Sequence, residues 1–277
     1  MGTDVGDGLH LQEAADALGV HYQTAYRWVR NGTLPAHLVD GKYVVLHEDV
    51  DAVQARRRAP TAPTAPSRAR LDRQSARVYA ALVDGDEATV RSTARRLVHE
   101  GTSVLELLEA VIVPVLRSIG QAWHDGELTI WEEHRASAII ERVLGELAPN
   151  PRGRRRGTAM VAAVSGDQHS LPSTMAALAL REANWRVHHL GDDIPGDELV
   201  RFCAQHDVDL AVISLTNPRS RDLAETTAAR IGADGTPVIV GAPGRTLSQL
   251  IAEAGHATQA RRATEPAGAD DRAVDRT

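Results

Sequence analysis

With 277 residues the chain is long enough for two or three domains with buried cores. Its formal charge of −6 excludes a chain-wide nucleic-acid polyelectrolyte, so any basic surface must be local; its single cysteine, Cys203, excludes an internal disulfide framework and fits a reducing cytosol. No apolar run approaches membrane-spanning length and Met1–His10 lacks the charged and apolar regions of a signal peptide, which together predict a cytoplasmic protein with no membrane partner.

Leu11–Leu18 reads as a short helix, Gly19-Val20 as a turn, and His21–Asn31 as a second helix closed by Gly32. Ala14, Ala17, Leu18, Val20, Ala25 and Val29 fall at spacings that let the two helices share a small core. Two extended runs, Leu34–Val39 and Tyr43–His47, are joined through Gly41-Lys42, and a third helix runs from Glu48 to Arg58. This order over 9–58, with the string TAYRWVRNGTLPA at Thr24–Ala36, resembles the winged helix-turn-helix of the excisionase/MerR superfamily. The excisionase branch is the closer match, because the Glu-Arg-Arg-Tyr-Gly string of true MerR proteins is absent. A recognition helix sets its first side chains on base edges in the major groove. Here those are Tyr22, Gln23 and Thr24, with Tyr26 and Arg27 next, while Arg30, Lys42, Arg56, Arg57 and Arg58 are phosphate candidates. The domain also carries many acidic residues, so DNA binding is expected to need two or more copies acting together. A small protein-interaction module with a solvated charged face is the competing reading.

Ala59–Ala69 alternates Ala, Pro and Thr and cannot build a core, so 59–70 is expected to be an extended linker. Four helical patterns follow: Leu71–Val83, Glu87–Glu100, Ser103–Trp123 and Thr129–Leu147. Their short connections predict an antiparallel four-helix bundle over 71–148, with the third helix bent at Pro114. Near its end stand Trp123-His124 and, ten residues after the tryptophan, Glu133-His134.

Beyond a basic hinge, Pro151–Gly157, the pattern changes. Strand runs at Ala159–Val164, Trp185–Leu190, Leu210–Ser214 and Val238–Val240 alternate with helical patterns at Thr174–Ala183, Gly196–His206, Ser220–Ile231 and Thr246–Ala254. The alternation predicts a doubly wound α/β sheet over 157–256, followed by a disordered tail, 257–277. The first strand runs through Ser165-Gly166 into Asp167-Gln168-His169, on the rim where open α/β sheets bind ligands. A carboxylate two residues before the imidazole can receive one ring N–H and fix the tautomer of a metal-binding histidine. Pro172 suits the first turn of the next helix, where its missing N–H is dispensable. His188 and His189, late on the second strand, read as structural residues on opposite faces.

Asp167-x-His169 in this setting resembles the Asp-x-His-x-x-Gly signature of base-off, His-on cobalamin-binding domains with a flavodoxin-like fold. The resemblance implies His169 as the lower axial ligand of cobalt and Asp167 as its hydrogen-bond partner. Leu190–Pro195 (LGDDIP) also matches, as do Ser214 and Thr216, whose hydroxyls would line the nucleotide tail, and Gly241, the first position of the family's Gly-Gly. Pro172 replaces the signature glycine and Ala242 the second glycine of that pair, both at positions that hug the tail. The spacing of Trp123 to Glu133-His134 is similar to the cap bundle of CarH-type cobalamin photoreceptors. It implies that Trp123 covers an adenosyl group above cobalt, and that Glu133 and His134 contact that group and the upper corrin face. It further implies that His124 can take the upper axial position on cobalt once the Co–C bond is broken. Singly, Trp123 could be a core aromatic, Glu133-His134 a solvated helix face and His169 an unligated loop residue. Their joint placement carries the resemblance.

The implied function is transcriptional regulation, not enzymatic turnover. The chain would hold adenosylcobalamin between bundle and α/β domain and sense light through photolysis. Its oligomeric state, dimer or tetramer, would change, and with it the affinity for a double-stranded DNA operator. Two alternatives stay open: a cobalamin-independent regulator whose pocket Pro172 and Ala242 have closed, and a corrinoid methyl-carrier protein. The carrier would share the bundle and α/β domain but would have no use for the helix-turn-helix. No nucleophile–base triad, Cys-x-x-Cys pair or phosphate-loop glycine pattern points to another enzyme.

Overall fold

A computed structural model describes residues 8–30, 32–39, 41–58, 68–149, 153–242 and 244–264, the side chains of 55–58 and 258–264 apart. The linker 59–67 and the stretch 265–277 lie outside the described residues. Two compact units result, 1–65 and 66–277.

The first unit opens on a strand, β1 (Gly8–His10), too short for any alternation to register in the sequence. Then come α1 (Leu11–Ala17), α2 (Tyr22–Arg30), β2 (His37–Val39), β3 (Lys42–Leu46) and α3 (His47–Arg58). The strands form an antiparallel sheet in the order β1-β3-β2, with Leu9 opposite Val45 and Leu38 opposite Tyr43. Glu13 accepts the N–H of His10 at 2.8 Å and so starts α1. Gly19, at φ +64°, supplies the left-handed turn between α1 and α2. Leu11, Ala14, Ala15, Leu18, Ala25, Leu34, Val45, Val50 and Val53 form the core. Ala17, expected in that core, is exposed: the buried stripe of α1 passes through Ala15 instead.

The second unit begins with the bundle: α4 (Arg68–Asp84), α5 (Glu87–His99), α6 (Val104–Leu107), α7 (Val113–His124) and α8 (Ile130–Glu146). The linker therefore yields to helix at Arg68, slightly earlier than expected. Between α6 and α7 lies one π-helical turn, Leu108–Ile112, rather than a simple bend at Pro114. Pro114 has no N–H to give and its ring crowds the carbonyl four residues back. A wider turn just before it relieves that conflict while the chain stays helical. Asp86, Ser103 and the Thr129/Glu132 pair cap α5, α6 and α8. Leu82, Val90, Leu97, Leu107, Leu108, Ile112, Ile119, Ile140 and Leu144 fill the bundle interior.

The α/β part follows as β4 (Thr158–Val164), α9 (Ser170–Glu182), β5 (Arg186–Ile194), α10 (Gly196–Gln205), β6 (Leu210–Ser214), α11 (Arg221–Ala233), β7 (Val238–Val240) and α12 (Leu247–Thr264). Its four strands are parallel in the order β5-β4-β6-β7. β4 is central and buried on both faces: Ala159 and Val161 meet the layer that holds α9 and α12, Met160, Ala162 and Val164 the layer that holds α10 and α11. That is why its sequence is a continuous apolar run rather than an alternation. The tail expected from 257 onward is helical as far as Thr264, because α12 continues without a break. Ala-rich sequence with scattered charges carries little periodicity to announce such a helix, but alanine and arginine are good helix formers. Cys203, on α10, is half-buried, and burial pushes its thiol up to about 11, which keeps it protonated.

Bundle and sheet are tied by hydrogen bonds and by packing. The Glu182 carboxylate at the end of α9 accepts the N–H groups of Val104 and Leu105, 2.6 and 2.7 Å away, at the start of α6. Glu109, in the π turn, accepts from the Ser248 backbone N–H and hydroxyl, 2.7 and 2.6 Å away, at the start of α12. Met175 and Leu178 of α9 join the bundle core directly.

Candidate functional site

The strand order reverses beside β4: one crossover leads to β5 on one side, the next to β6 on the other. The loops after β4 and β6 therefore flank the crevice where ligands of such sheets bind. Asp167 sits between those loops with 0% exposure. One carboxylate oxygen accepts the N–H groups of Thr216 and Asn217 at 2.5 and 3.0 Å, and the other meets Nδ1 of His169 at 2.8 Å. Burial by itself would raise the carboxyl, but the Thr216 and Asn217 N–H groups and the imidazole outweigh it and hold it below the ordinary value of 3.8. An ionised carboxylate only accepts, so Nδ1 carries the proton and Nε2 keeps its lone pair available to a ligand. The loop is braced further. Asp193, itself at φ +56°, accepts the N–H of Gly166 at 2.7 Å, and the side-chain amide of Asn217 donates to the Gly166 carbonyl at 2.6 Å. Asn217 escaped the sequence reading and Asp193 entered it only within the LGDDIP string, because they join the loop through pairings 51 and 27 residues apart.

His169 opens onto a cavity of about 1690 Å³ between the bundle and the α/β layer. Sites for small molecules usually measure about 300–1,000 Å³, so this one suits an unusually large ligand. Of the candidate residues, the cavity wall includes Trp123, Glu133 and His134 from the bundle and His169, Ser214, Thr216 and Gly241 from the sheet side. Pro172 and Ala242 line it as well, so neither fills it, and Pro172 lies in the first turn of α9. A Cβ on Gly241 would stand 3.0 Å from the Leu215 nitrogen, so the glycine lets the backbones of β6 and the loop after β7 pack closely. On the bundle wall Glu133 binds Nδ1 of His134 at 2.5 Å and the Ser137 hydroxyl at 2.9 Å, which leaves Nε2 of His134 as the imidazole's second polar atom. His124, the last residue of α7, is exposed and does not lie on the cavity wall, because the helix turns it past the face that carries Gly120 and Trp123. His188 and His189 point to opposite sides. His188 packs edge-on against Phe202 at 5.5 Å, and Nε2 of His189 meets the buried Ser173 hydroxyl at 3.0 Å. Burial and nearby Arg181 lower the His189 pKa below 6.5, against the pull of Asp192.

In the first unit Tyr22, Gln23, Tyr26, Arg27, Arg30 and Lys42 are exposed and Thr24 is half-buried. Tyr22 and Tyr26 stack at 6.4 Å, and Tyr26 meets Tyr43 of the hairpin edge-on at 6.0 Å, so an aromatic run links α2 to the wing. Tyr43 was not singled out from sequence; only the folded hairpin brings it to the helix. Arg56, Arg57 and Arg58 end α3 with their side chains outside the described residues.

Comparison with known proteins agrees with this architecture. Residues 9–58 match a helix-turn-helix domain model, and residues 74–148 and 157–267 match two B12 binding domain models. The chain is 30% identical over 153 residues to the HTH-type transcriptional repressor CarH of Myxococcus xanthus, across 54% of this chain and 51% of that repressor. A helix-turn-helix domain and, after it, two B12 binding domains thus stand in one chain, which is similar to that repressor over about half its length. The chain spans about half the length of that curated relative. It is also 24% identical over 183 residues to a corrinoid protein of Desulfitobacterium hafniense, across 62% of this chain and 84% of that one. A monomethylamine corrinoid protein of Methanosarcina barkeri shares the fold of the second unit, with a TM-score of 0.52 at 17% identity, covering 68% of this chain and 97% of that one. Among the described residues no helix is long and apolar enough to cross a membrane.

Proposed function

We propose that the chain is a DNA-binding light sensor that holds adenosylcobalamin in the cavity, with His169 as lower axial ligand to cobalt. The observation that carries this reading is a single cavity with His169, held from behind by Asp167, on one wall and Trp123, Glu133 and His134 on the other. The residues fit the group: the volume is large, Nε2 of His169 is the remaining ligating nitrogen, and Ser214, Thr216 and Gly241 lie on the same wall. That Pro172 and Ala242 line the cavity supports this reading over a cobalamin-independent regulator with a closed pocket. The helix-turn-helix supports it over a methyl carrier.

When bound, adenosylcobalamin supplies a cobalt–carbon bond that light breaks. The protein's own groups do the rest. Asp167 keeps Nδ1 of His169 protonated and the ring oriented. Trp123 offers a flat apolar surface to the adenosyl group, and Glu133 a hydrogen-bond acceptor. Ser214, Thr216 and Gly241 border the nucleotide tail. His124, off the wall at the end of α7, would come to the metal of such a group only if that helix end moved, which would couple a change at the ligand to the bundle. Dark assembly into a dimer or tetramer sets several weak DNA-binding units on one operator, and light lowers that avidity.

The test is reconstitution with adenosylcobalamin in the dark, with the elution volume on a sizing column and the visible spectrum recorded before and after green light. A corrinoid spectrum with a light-dependent elution shift is expected; no uptake sinks the proposal. Operator binding should fall steeply with salt through Arg27 and the Arg56–Arg58 run. Residues 1–60 alone should bind far more weakly than the full chain, and tight, salt-insensitive binding by that piece contradicts the avidity argument.

A further inference from the structure

Gly120 lies in the interior of α7, where glycine is disfavoured relative to alanine because it has more backbone freedom to lose. Such a glycine ordinarily marks the close approach of another segment. Here nothing approaches: a Cβ built on Gly120 would meet no atom within 4 Å. The open space is the cavity itself, whose wall includes Gly120 together with Arg117 and Trp123, one turn to either side on the same helix face. The missing side chain therefore adds room to the ligand cavity and serves no helix–helix contact. Gly145, within α8, provides a contrast: it too has no atom within 4 Å of a built Cβ, but it is exposed and lies off the cavity wall.

We propose that Gly120 is the size-determining position of the bundle wall. It leaves room beside Trp123 for an upper group as large as a nucleoside, which any side chain would narrow. The inference rests on the cobalamin reading above and goes beyond it by assigning a residue to the choice among upper ligands. Trp123 supplies the surface for the group, and Gly120 supplies its space.

The full chain and its Gly120→Ala, Gly120→Leu and Gly145→Ala variants are titrated in the dark with adenosylcobalamin, methylcobalamin and hydroxocobalamin, with binding followed by visible absorbance. Urea unfolding of each ligand-free protein is measured alongside. Both alanine variants should unfold at higher urea than the parent, because alanine favours the helix and neither site is crowded. One added methylene is worth roughly 10–200-fold in a fitted pocket. On that scale Gly120→Ala should weaken adenosylcobalamin about tenfold relative to methylcobalamin, and Gly120→Leu about a hundredfold. Gly145→Ala should leave the ratio as it is in the parent. An unchanged ratio in both Gly120 variants overturns the proposal, as does equal weakening of all three cobalamins. If Gly120→Leu fails to fold, Gly120→Ala still decides, and a ligand-free Gly120→Ala less stable than the parent shows the site to be crowded and overturns it too. Failure of the parent to take up any of the three refutes the cobalamin reading itself and this inference with it. Uptake by the parent with an unchanged ratio in the variants refutes only the role of Gly120.

Discussion

On the sheet side of the cavity the His169 imidazole rests on a carboxylate that is itself held from several directions, whereas on the bundle side the aromatic and imidazole groups stand near helix ends with few neighbours. Asp167 is fully buried and accepts hydrogen bonds from Thr216, Asn217 and His169, while Asp193 and Asn217 brace the same loop through Gly166. Across the cavity, Trp123 and Ile130 are 47% and 57% exposed, and His134 is held by the adjacent Glu133. A loop anchored on a fully buried carboxylate by hydrogen bonds from three residues resists displacement, and exposed helix ends with few apolar contacts do not. The contrast teaches where a ligand would be gripped and where its presence would be felt: the sheet side is pre-organised, and the bundle side is free to respond.

The largest expected effect breaks the rigid side. His169→Ala should lower corrinoid retention by more than the ~100-fold that loss of a partner to a metal ligand can cost, with a shifted visible spectrum. Equal retention and an unchanged spectrum, measured after gel filtration, would remove His169 from the site. Asp167→Ala comes next. It should cost roughly 10–100-fold in corrinoid affinity, and ~1–3 kcal/mol of stability because two backbone N–H groups lose their buried acceptor. Urea unfolding and a cobalamin titration measure both.

Trp123→Ala sharpens the contrast from the other side. Nearly half the indole is exposed, so stability should change by about 1 kcal/mol or less. Corrinoid binding should persist while preference for the adenosyl form and the light-dependent elution shift weaken. Wild-type assembly and light response in this variant would return the cobalamin-independent reading to first place. His124→Ala should leave dark assembly intact and alter only the spectrum after illumination, since His124 lies off the cavity wall.

The smallest effect concerns His189, wedged behind the rigid loop against Ser173. Its pKa is lower in the folded chain than the ordinary 6.5, so below that pH the unfolded chain takes up the proton first. The wild-type protein should therefore lose stability as pH falls from 6.5 toward the lowered folded value, and keep this contribution above 6.5. His189→Gln should flatten that part of the pH profile. An identical slope in both proteins would mean that His189 is not the group responsible.

Local chemistry made the elements legible in the sequence. The apolar run of β4 and the four helical patterns over 71–147 depend on residues a few positions apart, and the alternation of strand and helix beyond them does too. The Asp167-x-His169 pair and the spacing of Trp123 to Glu133-His134 were legible for the same reason. The tertiary structure decided everything that depends on distant groups. It brought Thr216 and Asn217 to Asp167, seated Tyr43 against Tyr26, and paired the short β1 with β3. It also left Pro172 and Ala242 on an open wall, turned His124 away from it, and gave Gly120 a void to face. The physical reason is that hydrogen bonds, cavities and empty space between elements are properties of their packing, and no run of neighbouring residues encodes which loop, fifty positions on, will close the site.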